Sequence, residues 1–351
     1  MIVGEGNKTI EPSKYYFNET LKNVIISEDV EHIEEWAFGY CINLKRIFIT
    51  KNISYISPNA FDGCENLEEI SVDEQNEFFA SVDGVLYSKN YEILIRVPSN
   101  YHQKRFVIND MVMRLEELSF NRCTNLREIV FPPKLKKIGE KAFAYCENIE
   151  KVIVPNTIEE IGDYAFSDCY SLKKFQVENE CYHSQDDVLY ETKNGKKILV
   201  QFPLGKKQDE YWINNRIYGV KDRAFIGAKF LSNIHVENNP CYCSKDGILY
   251  ETKYRRLVCV PTKKDIEILV LPENVQIIGN SSIKMNNNLR KIIFPKKLNY
   301  IERHAIENCV GLLEVELTGN DLKVIEWSAF WGCYSLQQID LSKQKNYLLI
   351  V

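Results

Sequence analysis

Eleven cysteines and five histidines in 351 residues are enough, by type, to hold a metal, close disulfides or do nucleophilic chemistry, so spacing must decide among these. Cys41, Cys64, Cys123, Cys146, Cys169, Cys309 and Cys333 all fall in one slot of a recurring pattern, which Ala228 and Asn286 fill elsewhere. A slot that accepts alanine needs a small group and not a reactive one, so these thiols are expected to be reduced, buried and packed as a ladder. Off the ladder, Cys181-Tyr182-His183 and Cys241-Tyr242-Cys243 match each other, and i, i+2 spacing puts each pair on one side of a strand. Four soft ligands are what tetrahedral zinc takes, but neither pair has the C-x-x-C spacing of a metal knuckle, and no metal is expected. His32, His102, His183, His235 and His304 sit in no nucleophile motif, and the sequence contains no G-x-S-x-G, phosphate loop or dinucleotide glycine fingerprint. Adjacent acids such as Asp186-Asp187, Glu34-Glu35 and Glu159-Glu160 would point to opposite faces of a strand. The expectation is a chain that is not an enzyme and has no cofactor.

What positions these residues is a repeat. The run IEEWAFGYCINLKRI from Ile33 recurs as IGEKAFAYCENIEKV from Ile138 and IGDYAFSDCYSLKKF from Ile161, giving the pattern L-x-x-I-x-x-x-A-F-x-x-C-x-x-L-x-x-I-x-V. Cys123, Cys146 and Cys169 are 23 residues apart, whereas Cys64 and Cys123 are 59 apart, one period plus 36. The added segments, near 73–105, 178–210 and 237–267, are themselves alike: NEFFASVDGVLY from Asn76, NECYHSQDDVLY from Asn179 and NPCYCSKDGILY from Asn239. Each runs through a turn into an apolar strand that ends at Pro98, Pro203 or Pro261, which predicts a β-hairpin. Strand-like stretches at Phe106, Tyr211 and Ile268 then lead back into the repeat.

A unit of 23 residues cannot bury its own apolar face and must stack on its neighbours. In L-x-x-I-x-V, Leu67, Ile70 and Val72 are expected to turn inward and Glu69 and Ser71 outward. The A-F-x-x-C segment is too short for a long helix and reads as a turn or a single 3₁₀ turn, so helix content should be low. The expected organisation is an N-terminal cap with a partial coil over 1–32, a solenoid without a hinge over 33–341, and a closing cap or truncated repeat over 342–351.

The A-F-x-x-C-x-x-L-x-x-I core with N-x-x-Y-x-S-x-D-G-V-L-Y insertions resembles the BspA-like, or treponemal-type, leucine-rich repeat family over roughly Leu21 to Leu341. The resemblance implies a β-rich repeat solenoid, a right-handed leucine-rich-repeat solenoid of 23-residue coils carrying three β-hairpin-type insertions. It also implies adhesion at a microbial cell surface as an alternative function.

A formal charge of −5 argues against a nucleic-acid partner, and the apolar runs stay far short of the roughly 18 residues that would insert in a membrane. The first residues, Met1 to Gly6, lack the basic and apolar regions of a signal peptide, which predicts a cytoplasmic protein if the sequence is full length. A mature cell-surface or secreted chain would look the same. The leading expectation is a monomeric, non-enzymatic scaffold that binds a protein partner on its outward strand face. The candidate contact residues are Arg46, Phe48, Glu128, Val130, Lys151, Ile153, Lys174, Gln176, His235, Lys291, Ile293, Glu314 and Glu316, with Asp340 at the same face. A structural repeat segment of a larger protein is the remaining alternative.

Overall fold

The structure is a computed structural model and describes residues 1–339 and 349–350. The fold is a β-solenoid of coils of about 23 residues, and among the described residues its helical content is one 3₁₀ turn, Thr252–Tyr254. The chain divides into two compact units, Met1–Ser184 and Gln185–Val351.

In the first unit, strands Ile2–Val3, Asn23–Ile26, Arg46–Ile49 and Glu69–Val72 form one parallel sheet, in which Ile2, Ile25, Phe48 and Ser71 are register partners in turn. Arg105–Val107 pairs with Glu128–Val130, and Lys151–Ile153 with Lys174–Gln176. A second ladder of two-residue strands, Arg114–Leu115, Lys137–Ile138 and Glu160–Ile161, closes each coil on another side. The second unit repeats the scheme. Glu210–Ile213 pairs with Asn233–Val236, and Ile268–Val270, Lys291–Phe294, Glu314–Leu317 and Gln338–Ile339 form a parallel sheet. Leu349–Ile350 pairs with Val324–Ile325, and the rest of the expected terminal segment 342–351 lies outside the described residues.

The strands alternate as expected at Leu67 and Ile70, which are fully buried while Glu69 and Ser71 are partly exposed; Val72 packs against the core but is only half-buried. Inward phenylalanines stack from coil to coil, Phe120 on Phe143 at 4.8 Å and Phe143 on Phe166 at 5.4 Å between ring centroids. The A-F-x-x-C segment is a turn, the first of the two expected readings, and not 3₁₀. In coil after coil it carries two residues in the left-handed region, such as Lys141 (φ 50°) and Tyr145 (φ 60°). Its N–H groups alternate. Those of Ala142, Ala144 and Cys146 close three residues back on Gly139, Lys141 and Phe143 at 3.0–3.3 Å. Those of Lys141, Phe143 and Tyr145 donate to Asp163, Ala165 and Ser167 of the next coil at 2.8–3.0 Å, which a continuous 3₁₀ turn would not do.

The hairpins occur where expected, Val85–Ser88 on Ile93–Arg96, Val188–Lys193 on Lys196–Gln201, and Ile248–Glu251 on Arg256–Cys259. What the sequence reading did not resolve is an upstream strand in each insertion: Phe79–Val82, Tyr182–Gln185 and Tyr242–Lys245. It also explains the N-x-x-Y-x-S motif. The Asn76 amide donates to the carbonyls of Thr50 and Ile53, and its oxygen accepts the N–H groups of Phe78 and Phe79. Asn179 and Asn239 repeat all four bonds. The serines Ser81, Ser184 and Ser244 accept the N–H of Val72, Val177 and Val236, and the Tyr182 and Tyr242 hydroxyls accept those of Ile161 and Val220.

Phe143→Ala removes a fully buried ring held between two others. Denaturant unfolding should show a loss of about 3–5 kcal/mol. An unchanged midpoint would show that the ring ladder does not carry the stack.

Candidate functional site

The cysteine slot has a structural use that its type alone did not reveal. Each Sγ lies within donating distance of a carbonyl at the phenylalanine slot of the preceding coil: Cys64 to Phe38 at 3.0 Å, Cys146 to Phe120 at 3.0 Å, and Cys169 to Phe143 at 3.2 Å. Where the thiol is replaced, the Asn286 amide donates to Pro261 at 3.0 Å, while Ala228 fills the slot fully buried with no side-chain donor, so the slot accepts a small donor without requiring one. All eleven cysteines are free. Burial pushes the Cys123 thiol up to about 12 and raises Cys146 and Cys169 as well. Cys181 is exposed, Cys241 is half-buried, and Cys243 donates to the Glu251 carbonyl at 3.3 Å. Among the described residues no three ligating side chains gather as a metal site.

The outward strand residues form rows, because parallel register places equivalent residues side by side. In the first unit one row is Asn23, Arg46, Glu69 and the next is Ile2, Ile25, Phe48, Ser71. Farther along the same unit, Arg105 and Glu128 are partners, as are Val107 and Val130, Lys151 and Lys174, and Ile153 and Gln176. Arg46 pairs with Glu69 at 3.4 Å and Arg105 with Glu128 at 3.2 Å. Lys151 and Lys174 are like charges directly opposed, an arrangement that destabilises a sheet on its own. In the second unit Lys291 lies 2.7 Å from Glu316 and 2.9 Å from Glu314, and these two carboxylates, Glu316 first, raise its pKa above the ordinary lysine value. Ile293 and Glu316 are register partners, and His235 is the partner of Trp212. Asp340 lies outside the described residues.

All the candidate residues are thus outward strand residues, but they do not share one sheet. The insertions interrupt the face: the Gly84 carbonyl takes the N–H of Ile70, and the Gly247 carbonyl takes that of Ile234, where the next coil's strand would pair. Gly247 has φ 72°, and a Cβ there would meet Asn233 Oδ1 at 2.1 Å, so this close approach requires glycine. Val130 and Ile153 lie in the first unit on two separate two-stranded sheets, and Ile293 lies on a four-stranded sheet in the second. The sequence reading recognised the first strand after each interruption but took no contact residue from it, and these strands supply exposed Val107, Trp212, Ile268 and Val270. The alternation in Phe106-Val107, Tyr211-Trp212 and Leu269-Val270 was the available signal.

Stacked coils with a parallel strand on one side, short strands behind and an inward Leu/Ile/Phe ladder define a leucine-rich-repeat solenoid. The chain belongs to the BspA type leucine rich repeat family, whose model matches six copies over residues 2–83, 99–211 and 261–349. Among solved structures it is similar to a leucine rich cell surface protein from Faecalibacterium prausnitzii, with 20% identity and a TM-score of 0.50 over 94% of this chain and 82% of that one. It is also similar to a leucine-rich repeat protein from Eubacterium ventriosum, with 17% identity and a TM-score of 0.44 over 97% and 77%. No curated protein sequence matches it.

An unfolded thiol ionises near pH ~8.5, whereas folded Cys123 ionises near 12. Folding therefore favours the neutral form. The resulting stability is whole below pH ~8.5 and is lost as pH rises from there towards 12. Unfolding midpoints measured across this range should fall more steeply in the wild type than in Cys123→Ala. On native protein a thiol reagent should label Cys181 first, and rapid labelling of Cys146 would contradict its burial.

Proposed function

We propose that the chain is a non-enzymatic protein-binding scaffold whose outward strand face holds the partner, and that in the first unit the contact centres on Val107, Val130 and Ile153. The observation that carries this reading is the apolar pair Val107 and Val130 with Ile153, 47% exposed, beside the opposed ammonium groups of Lys151 and Lys174. Apolar centres rimmed by polar groups are the usual anatomy of an energetic contact. Carboxylates on the partner would relieve the like-charge pair. Arg46 and Phe48 extend the same chemistry on their own sheet, and Glu314 and Glu316 form an acidic counterpart around Lys291.

A surface adhesin is the second reading. The Faecalibacterium prausnitzii protein of this fold is described as a cell surface protein, and among the described residues no helix is long and apolar enough to cross a membrane.

The test is affinity capture from the source organism's lysate and surface fraction with wild type, Val130→Asp plus Ile153→Asp, and Glu314→Lys plus Glu316→Lys. The first pair should abolish recovery of a specific partner while leaving the fold intact. The charge reversal should chiefly slow association and alter its salt dependence. Equal recovery by all three would move the contact off this face.

A further inference from the structure

Trp212 is the largest apolar side chain on the outward strand face, and it is 51% exposed. Its ring stacks on the ring of His235, its register partner on the neighbouring strand, at 4.3 Å between centroids and 24° between planes. Neighbouring strands lie about 4.8 Å apart, so two rings at this separation must stand up from the sheet and meet face to face across the strands. His235 covers one face of the indole, so the half of the side chain that stays exposed includes the other face. Among the described residues Glu210–Ile213 pairs with Asn233–Val236 alone in this sheet.

Glu210 is two residues earlier on the same strand, so its side chain rises from the same face roughly 6.7 Å away. Its carboxylate is half exposed and lies 3.6 Å from His235 Nε2, a longer separation than a hydrogen bond. The strand thus presents an open aromatic face with a solvated carboxylate beside it. A flat cation fits both: a guanidinium stacks on an indole within about 6 Å of its centroid and directs its N–H fork at a carboxylate. An ammonium would satisfy the carboxylate without covering the ring, and an aliphatic chain would cover the ring without satisfying the carboxylate.

We propose that Trp212 and Glu210 form a reading site for an arginine side chain on the protein partner, with His235 holding the indole upright. This deepens the strand-face reading and rests on it, but it can be tested without the partner. Indole-¹⁵N-labelled protein gives one signal per tryptophan, and Trp212→Phe identifies the one from Trp212. The probes are N-acetyl-arginine amide, N-acetyl-lysine amide, N-acetyl-norleucine amide and methyl glucoside. The arginine probe should shift the Trp212 signal saturably and leave those of Trp36, Trp327 and Trp331 in place. The lysine probe should bind about fivefold more weakly, and Glu210→Gln should weaken the arginine probe by a similar factor while keeping the spectrum of a folded protein. His235→Ala should broaden or displace the Trp212 signal before any probe is added.

Equal shifts with norleucine would reduce the site to an apolar shelf. A response to the glucoside alone would make it a sugar platform. No saturable shift at all would leave Trp212 and His235 as cross-strand packing, and each of these three results overturns the proposal. Loss of partner capture in Val130→Asp plus Ile153→Asp without an arginine response would remove this inference and leave the scaffold reading standing.

Discussion

Everything in this fold follows from hydrogen bonds that a coil cannot make within itself. A strand of two to four residues and a turn that refuses to be a helix leave N–H and C=O groups pointing along the stack, and the next coil takes them. Short side chains add further bonds between coils. The cysteine thiols reach phenylalanine-turn carbonyls that already accept an N–H of their own coil, and so fill the second lone pair. Asparagines add theirs at the corner before the strand, Asn43 to Glu19, Asn66 to Ile42 and Asn148 to Thr124, all at 2.8–2.9 Å. The repeated residue types are thus set as much by polar satisfaction between coils as by the apolar ladder.

The insertions meet the same demand by other means. Their last strands end in residues that face the turn of the following coil, and two of these are long donors. Arg96, 1% exposed, donates to the carbonyl of Leu118 at 2.7 Å, and Gln201 donates to that of Ala224 at 3.0 Å. These carbonyls already accept a backbone N–H, Leu118 from Asn121 and Ala224 from Phe202. Each side chain is thus a second donor to a carbonyl with two lone pairs, and the bond chiefly offsets burial of the guanidinium or amide itself. A related solution appears in the second unit, where Lys284 and Glu307 occupy equivalent places in adjacent coils and meet at 2.8 Å, both almost fully buried. Arg223 and Ser281 also reach the Glu307 carboxylate, at 3.5 and 3.3 Å, so the buried charge is shared over a small network.

The coil, its period and the hairpins were legible because inward residues repeat at fixed spacing and their apolar character is visible in the sequence. The left-handed turn was not. Its positions hold Trp36, Lys141, Tyr145 and Arg122, none of which advertises positive φ as glycine does. The role of Asn76 was hidden for another reason: a residue with four hydrogen bonds and one with none look alike in a sequence. The outward rows were assigned correctly strand by strand, since alternation fixes a residue's face. Which strands share a sheet was not assignable, because that depends on where the Gly84 and Gly247 turns displace the next strand.

This interruption bears on how such a face can bind. A stable protein contact needs roughly 800 Å² on each partner, about 20–30 residues a side. The outward side of Glu210–Ile213 and Asn233–Val236 offers far fewer residues than that, with Trp212 and His235 at its centre. A short window can anchor one or two side chains of a partner but cannot hold a domain by itself. On the proposed reading, selection at each window would rest on which anchor it takes, an apolar side chain at Val107, Val130 and Ile153 or a flat cation at Trp212. Total affinity must come from engaging more surface than one window presents. The insertions, by dividing the face, leave short sheets that expose different side chains on one repeated coil.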